Sequence, residues 1–378
     1  MLELQKLIKN NPNNWKTILS IKPYSLLIKE KDNRVLFKYN QILSDFSKEI
    51  VKESRGIILD KNTWDIVCHP FHKFFNHNEA NADKIDWQSA SVLEKLDGSL
   101  IKFYFYKGKL KIATNGNIDA SDSKLENYIT PDNKNYDNYF ELVFETLKSQ
   151  FDRDWKKLKT FYSSMEKNAT HLFEICTPYN KIVIPYQDSK LYYLTSKNNE
   201  TGKEFINPVI YSTFPKPKIY NINSIDKCIE AVNKMPFNEE GYVVIDKNQN
   251  RIKIKSPSYL IAHHLKGNNG KIQIDSVLDL IRNGEDKEFL SYYPEYKEIF
   301  TDVKNKWKNF LKRVDSDVKK LYDSYQEVDR KTLAIWAVNE TIIPDLIFSL
   351  VDKKVDNKEE YISSLKSEKI LNNFKKGK

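Results

Sequence analysis

A lysine placed two residues ahead of an Asp-Gly pair, in Leu93-Glu94-Lys95-Leu96-Asp97-Gly98-Ser99-Leu100, is the stretch of this sequence best suited to covalent chemistry. A lysine amine attacks an electrophile only in its neutral form, so a nucleophilic lysine needs neighbours that favour loss of its proton. Gly98 lets the chain turn tightly and lets a ligand approach the backbone closely. The segment that follows, Leu100 to Tyr106, alternates Ile101, Phe103 and Phe105 on one face with Lys102, Tyr104 and Tyr106 on the other, which sets Lys95 at the mouth of a strand. In a chain with 61 Lys and Arg, such a lysine can equally be an ordinary exposed one beside a turn. The choice depends on what other segments bring to it.

Three segments offer partners. In Arg251-Ile252-Lys253-Ile254-Lys255 the two lysines lie on one side of a strand, roughly 7 Å apart by strand rise, and their mutual repulsion calls for an anion such as phosphate. Glu174 interrupts the apolar run Leu172-Phe173-Glu174-Ile175. A carboxylate in such a run is expected to bond something specific, a sugar hydroxyl or a structural cation. Glu239-Glu240 leads into the strand Gly241-Tyr242-Val243-Val244 and suits Mg²⁺ held by one or two carboxylates. Cys68, His69 and His72 lack a second half-site at zinc-finger spacing, and His263-His264 is equally undirected, so structural roles are expected for both groups.

The elements that must position these residues read as an α+β unit. Residues 1–20 read as a short helix and loop, followed by strands over Tyr24–Lys29 and Arg34–Tyr39 around the turn Lys31-Asp32-Asn33. Ser54–Asp60 pairs with Trp64–Pro70, and the Lys95 strand pairs with Leu110–Thr114 across Lys107-Gly108-Lys109. Residues 119–170 are polar, with helical spacing at Tyr139, Leu142, Val143 and Leu147. Strands return at His171–Cys176, Ile182–Pro185 and Leu191–Leu194. A Pro-rich connection and a helix near 224–234 follow, then a hairpin of Gly241–Asp246 with Arg251–Lys255. Beyond about residue 264 the pattern changes. From Ile299 to Tyr325, apolar residues recur at three- and four-residue steps, which predicts one long amphipathic helix beginning near Pro294; shorter helices are expected near 330–339, 344–353 and 357–373. The expectation is a catalytic unit over 1–263 with antiparallel sheets, followed by an all-helical unit over 264–378.

The 378 residues carry a net charge of +9 with 13% aromatic content, a folded chain whose charge favours a polyanionic partner. Three cysteines without a C-x-x-C pair point to a reducing compartment. The absence of an apolar leader or any apolar run of 18 residues points away from secretion and the membrane, towards the cytoplasm (a host cytoplasm if the chain is viral). Nothing demands an oligomer, so a monomer is expected.

In order and spacing, Lys95-x-Asp97-Gly98, Phe173-Glu174, Glu240-Gly241-Tyr242-Val243 and Lys253-x-Lys255 are similar to the motif series of the covalent nucleotidyltransferases, the DNA ligases, RNA ligases and capping enzymes. Within that superfamily the chain most closely resembles the bacteriophage-type ATP-dependent RNA ligase 1 family of tRNA-repair ligases. The resemblance runs through Ser54-Arg55-Gly56-Ile57, Lys73-Phe74-Phe75-Asn76, Asn180-Lys181-Ile182-Val183, Glu200-Thr201-Gly202 and Asp329-Arg330-Lys331-Thr332. It implies that Lys95 attacks the α-phosphate of ATP to give a lysyl-AMP. Tyr39, Arg55 and Lys73 would contact the triphosphate or the RNA phosphate, and Glu174 the ribose. Glu240 would support the metal-bound site, and Lys253 and Lys255 the α-phosphate region. Tyr259 would lie beside them as an RNA contact, and by counting on from Tyr259 a Mg²⁺-associated acid falls at Asp286. The implied activity joins an RNA 5′-phosphate to a 3′-hydroxyl, with nicked tRNA as the family's usual substrate. One departure stands out: the family has lysines just before the glycine of the strand after the nucleophile, where this chain has Ala113, Thr114 and Asn115 before Gly116. Two alternatives are kept: a DNA ligase or capping-type nucleotidyltransferase, the nearest enzymatic relatives, and, because of Ala113 and Asn115, a catalytically weakened RNA-binding relative. Leu100, where DNA ligases and capping enzymes usually carry Arg, and the helical rather than barrel C-terminal part weigh against the former.

Overall fold

The computed structural model describes residues 1–378 except 126–135, 181–182, 185, 265–272, 323–328, 353–357 and 375–378. The chain divides into two compact units, Met1–His263 and His264–Lys378.

The first unit is α+β and holds the site. Its strands are β1 (Leu26–Lys31), β2 (Arg34–Tyr39), β3 (Arg55–Asp60), β4 (Ile66–Cys68), β5 (Phe75–Asn76), β6 (Ser91–Glu94) and β7 (Ser99–Tyr106). They continue with β8 (Lys109–Thr114), β9 (Ala169–Cys176), β10 (Lys190–Asn198), β11 (Glu204–Phe205), β12 (Ile219–Tyr220), β13 (Gly241–Ile245) and β14 (Arg251–Lys255). They form three sheets in the orders β1-β2-β3-β4, β11-β10-β9-β7-β8 and β12-β6-β13-β14-β5. Among the described residues every strand pair is antiparallel except β5 with β14. Two of the turns are tight for a local reason: Asp32 and Asn33, then Lys107 and Gly108, take positive φ, the twist that a two-residue hairpin requires.

The apolar alternation of β7 is obeyed on both faces. Ile101, Phe103 and Phe105 enter a core with Phe161, Phe173 and Phe214, while Tyr104 and Tyr106 enter another with Leu36, Ile58 and Cys68 of the first sheet. With both faces covered, Lys102 is fully buried.

Several sequence expectations need correction. Residues 1–20 form two helices, Glu3–Asn10 and Trp15–Ser20. The polar stretch before β9 holds a second helix, Trp155–Ser164, whose first turn is capped by the Asp154 carboxylate. Of the strand expected over Ile182–Pro185, residues 182 and 185 lie outside the described residues. Val183 and Ile184 form a bend, because both of their N–H groups donate to Asp97 rather than to a neighbouring strand. The helices Pro208–Thr213 and Pro257–His264 were not foreseen.

The second unit is helical. The long helix runs Lys297–Tyr322 and buries Phe300, Val303, Trp307, Phe310 and Val314 against Val277, Ile281 and Phe289, the three- and four-residue steps making one apolar stripe. Of the apolar positions assigned to it, Tyr325 lies outside the described residues, as does the basic tail 375–378. The region expected as one helix over 357–373 is broken into Lys358–Ser364 and Ser367–Phe374. No helix among the described residues is long and apolar enough to cross a membrane.

Candidate active site

Lys95 follows directly on β6, whose register against β13 sets Glu94 opposite Tyr242. The Lys95 N–H donates to the Gly241 carbonyl at 2.9 Å, which places its side chain beside the residue before Gly241. There the Lys95 ammonium meets Glu240: Nζ lies 2.5 Å from Oε1, with the carboxylate only 5% exposed. Glu240 is fixed from below as well, its carbonyl accepting from the Ser256 N–H at the end of β14 at 2.8 Å. Burial pushes the Glu240 carboxyl above the usual carboxylate range, and Asp97 adds to the shift, while Lys95 and Lys255 pull against it.

The Asp97-Gly98 turn is held from several directions. Asp97 Oδ2 accepts from the Val183 and Ile184 N–H groups at 2.9 Å each, and Oδ1 accepts from the Tyr259 hydroxyl at 2.8 Å. Gly98 is required sterically: a Cβ there would sit 2.5 Å from the Ile175 carbonyl oxygen and 2.9 Å from Glu174 Cγ. The close approach brings the nucleophile loop down onto β9, with Leu100 in register with Glu174. Burial raises the Glu174 carboxyl to about 7; Glu240 and Asp97 push the same way, and Lys95 and Arg55 oppose them. Gly241, at φ +133°, has the Ile254 oxygen 2.0 Å from where a Cβ would stand, so the β13–β14 start is equally intolerant of a side chain.

A cationic, aromatic wall comes from the first sheet and from the segment that leads into β5. Arg55 opens β3 opposite Lys38 of β2, and its guanidinium lies 5.0 Å from the ring centre of Phe74. The Lys73 ammonium lies 5.2 Å from the ring centre of Tyr39 and 5.5 Å from that of Phe75. Burial alone would raise the Tyr39 phenol, but Lys73, Arg55 and Lys38 outweigh it and lower it. One buried guanidinium nitrogen, Arg55 Nη1, has no hydrogen-bond partner among the described residues. A cavity of about 430 Å³ lies at the Lys73 end, lined also by His69, His72, Lys197, Glu204 and Arg251, and does not include Lys95, Glu174 or Glu240.

The first unit thus gathers Lys95, Glu174 and Glu240, with Arg55 and Lys255 within electrostatic reach of the two carboxylates and Tyr39 and Lys73 beside Arg55. Lys253 shares the Lys255 side of β14, opposite Val243. Tyr259 is placed differently from the RNA contact that the resemblance implied: it is 3% exposed and braces Asp97 through its hydroxyl. Asp286 stands in the helical unit at the start of helix Asp286–Tyr292, with the Lys304 ammonium 2.6 Å from its carboxylate. Among the described residues no group of three or more His, Cys, Asp or Glu is arranged to hold a metal. Cys68, Cys176 and Cys228 are free and buried. Sequence reasoning missed Asp97 as the brace of the loop, and Lys38 and Lys102 behind Arg55. A lysine amid the apolar residues of β7 was the available signal for Lys102.

Residues 53–259 match the model of a family described as RNA ligase. A protein of Autographa californica nuclear polyhedrosis virus, named provisionally as a bifunctional polynucleotide kinase/RNA ligase, is 32% identical over 321 residues, covering 80% of this chain. The matched region is 43% of that viral protein, so the chain spans less than half of it. An RNA ligase of Rhodothermus phage RM378 is 24% identical over 76% of this chain and 77% of its own. Among solved structures, an archaeal ATP-dependent RNA ligase superposes with a TM-score of 0.46 and 11% identity over 80% of this chain and 78% of its own.

Proposed function

The chain belongs to the RNA ligase family, and we propose that it is an ATP-dependent enzyme joining an RNA 5′-phosphate to a 3′-hydroxyl through a lysyl-AMP formed on Lys95. The observation that carries this reading is the contact of Lys95 with the buried Glu240, beside a second, half-buried carboxyl, Glu174, and a wall of cations. An exposed structural lysine needs no such surroundings.

In the first step the Lys95 amine attacks the α-phosphorus of ATP. A P–N bond forms, the bond from the α-phosphorus to the bridging oxygen breaks, and pyrophosphate leaves. The proton must first leave the ammonium, and Glu240 is the carboxylate placed to take it, its affinity for a proton raised by burial. Arg55, Lys73, Lys253 and Lys255 neutralise charge on the triphosphate, which is most of what phosphoryl transfer asks of a protein. Tyr39 accompanies Lys73, and Glu174 accepts from the ribose hydroxyls. In the second step AMP passes from Lys95 to the RNA 5′-phosphate. In the third, the RNA 3′-hydroxyl displaces AMP and a phosphodiester forms.

The residues present fit a Mg²⁺ that takes few ligands from the protein: the Glu240 carboxylate would hold it, with substrate phosphates completing the shell. Bound there, Mg²⁺ would neutralise developing charge on the phosphates. The unit over 1–263 serves as the adenylyltransferase, and the helical unit over 264–378 contributes RNA recognition by shape and backbone contacts, nicked tRNA being the substrate class proposed.

The test is acceptor choice. The chain is charged with AMP labelled at its phosphate, then offered 5′-phosphorylated RNA or DNA of one sequence, each with a 3′-hydroxyl partner. Label transfer to RNA with a joined product supports the reading. Preferential transfer to DNA would replace it with a DNA ligase.

A further inference from the structure

Lys102, close behind Arg55, has no task in the mechanism above. It is fully buried on β7 and, among the described residues, forms no ion pair. Burying a charge without a counter-charge is costly, so such a lysine calls for a reason. The contrast with Arg34 is instructive. Arg34 is also fully buried, but its guanidinium meets Asp119 at 2.8 Å and bonds the Tyr104 hydroxyl, an ordinary structural arrangement.

The surroundings of Lys102 are of another kind. Its Nζ donates to the Gly56 carbonyl at 2.5 Å, the Cys68 thiol near it is buried and held in its neutral form by that burial, and the charged groups acting on it are two further cations, Arg55 and Lys38. Gly56 takes φ +80°, and a Cβ there would meet the Asn115 carbonyl at 2.5 Å, Asn115 Oδ1 at 2.9 Å and Lys102 Nζ at 3.0 Å. The glycine after Arg55 is thus fixed by what lies behind it. Lys38 Nζ reaches to 3.7 Å from where a Gly116 Cβ would stand. Three cations, Arg55, Lys102 and Lys38, therefore converge behind one turn, and the buried atoms Arg55 Nη1 and Asn115 Oδ1 in this cluster have no hydrogen-bond partner among the described residues. The register adds a second observation: Lys102 stands directly opposite Ala113 of β8, and neither Ala113 nor Asn115 carries a charge.

We propose that Lys102 is a positioning residue for the triphosphate, its ammonium pinning the Gly56 carbonyl so as to aim Arg55, and its charge, with that of Lys38, supplying from β7 and β2 the positive potential that Ala113 at the end of β8 and Asn115 just after it do not carry. The proposal rests on the adenylyl-transfer reading above.

The test uses the full chain, Mg²⁺ and ATP labelled at the α-phosphate, and follows adduct formation on Lys95 against ATP concentration. Four proteins are compared: wild type, Lys102→Met, the exchange Lys102→Ala with Ala113→Lys, and Lys38→Met. The exchange conserves total volume and moves the ammonium by one cross-strand step. Lys102→Met is expected to slow adduct formation by about tenfold or more and to raise the half-saturating ATP concentration, as loss of an electrostatic contribution does. The exchange should recover most of that loss, which a purely structural lysine would not explain. Lys38→Met, at a half-buried residue whose loss leaves the strand core intact, should slow the reaction several-fold. Adduct formation by Lys102→Met within about twofold of wild type would overturn the proposal, as would an exchange variant that melts like wild type yet is no faster than Lys102→Met. If Lys102→Met does not fold, an unaltered rate for Lys38→Met overturns it. Failure of wild type itself to form an adduct removes the adenylyl-transfer reading, and this proposal with it.

Discussion

The Tyr259 hydroxyl donates to Asp97 Oδ1 at 2.8 Å, while the other oxygen of the same carboxylate accepts two backbone N–H groups from Val183 and Ile184 at 2.9 Å each. One buried carboxylate thereby ties the loop after Lys95 to the start of helix Pro257–His264 and to the bend after β9. Tyr259→Phe removes one of these bonds and should cost about 1–2 kcal/mol of stability with a modest fall in adduct formation. Asp97→Ala strands three donors and should be markedly worse in both. Thermal unfolding and the rate of Lys95 labelling check the order; equal effects of the two changes would contradict it.

Gly98 of the nucleophile loop and Gly241 at the start of β13 should tolerate no side chain. A Cβ at Gly98 falls 2.5 Å from the Ile175 oxygen, and one at Gly241 falls 2.0 Å from the Ile254 oxygen at a backbone φ of +133°. The neighbours in both cases are backbone atoms of central strands, which cannot move aside cheaply. Gly98→Ala and Gly241→Ala are each expected to lose about 3 kcal/mol or more. Chemical denaturation measures this, and a loss below about 1 kcal/mol would mean that the strands accommodate the methyl group.

Glu174 gives the site a pH signature. Burial, reinforced by Glu240 and Asp97 against Lys95 and Arg55, lifts its carboxyl from 4.5 to about 7. A carboxyl with a raised folded pKa favours the protonated fold, so the folded state loses stability as pH rises from about 4.5 through about 7 and little further above that. Glu174→Gln removes the titration. Relative to wild type it should gain stability on the order of 2–3 kcal/mol between about pH 5 and about pH 8, while adduct formation falls through loss of the ribose contact. Melting curves that stay parallel across that range would contradict the assignment.

Asp286 offers a contrast. Its carboxylate is held by Lys304 at 2.6 Å inside the helical unit. Asp286→Asn should therefore cost about 1 kcal/mol of stability and leave labelling of Lys95 and its Mg²⁺ dependence unchanged. A shift in the Mg²⁺ concentration needed for labelling would instead assign this carboxylate to a metal.

Lys95, Glu174 and Glu240 were legible in the sequence because each breaks a local pattern: a lysine before Asp-Gly, a carboxylate in an apolar strand, an acidic pair ahead of another strand. The strands were legible from alternation, and the long helix Lys297–Tyr322 from its three- and four-residue steps. Lys102 breaks a pattern as plainly, yet alternation assigned it to the face of β7 that it shares with Tyr104 and Tyr106. Only the packing of Leu36, Ile58 and Cys68 over that face makes the lysine buried, and no local pattern announces that a second sheet covers a strand. Tyr259 shows the same gap from the other side. The family resemblance implied an RNA contact for it, whereas its hydroxyl reaches Asp97, far away along the chain. The helix Trp155–Ser164 was hidden because most of its residues are polar and its buried contact is Phe161.

The central claim is that the Lys95 amine becomes covalently joined to AMP. The most direct measurement is incubation with Mg²⁺ and ATP labelled at the α-phosphate, denaturation, and location of the label by mass spectrometry of peptides, beside a Lys95→Ala control and a sample first treated with pyrophosphate to strip any AMP already bound. Label on Lys95 in the wild type, absent from the control, is the predicted result. A folded, pyrophosphate-treated protein that takes up no label, or takes it up at another residue, would contradict the account.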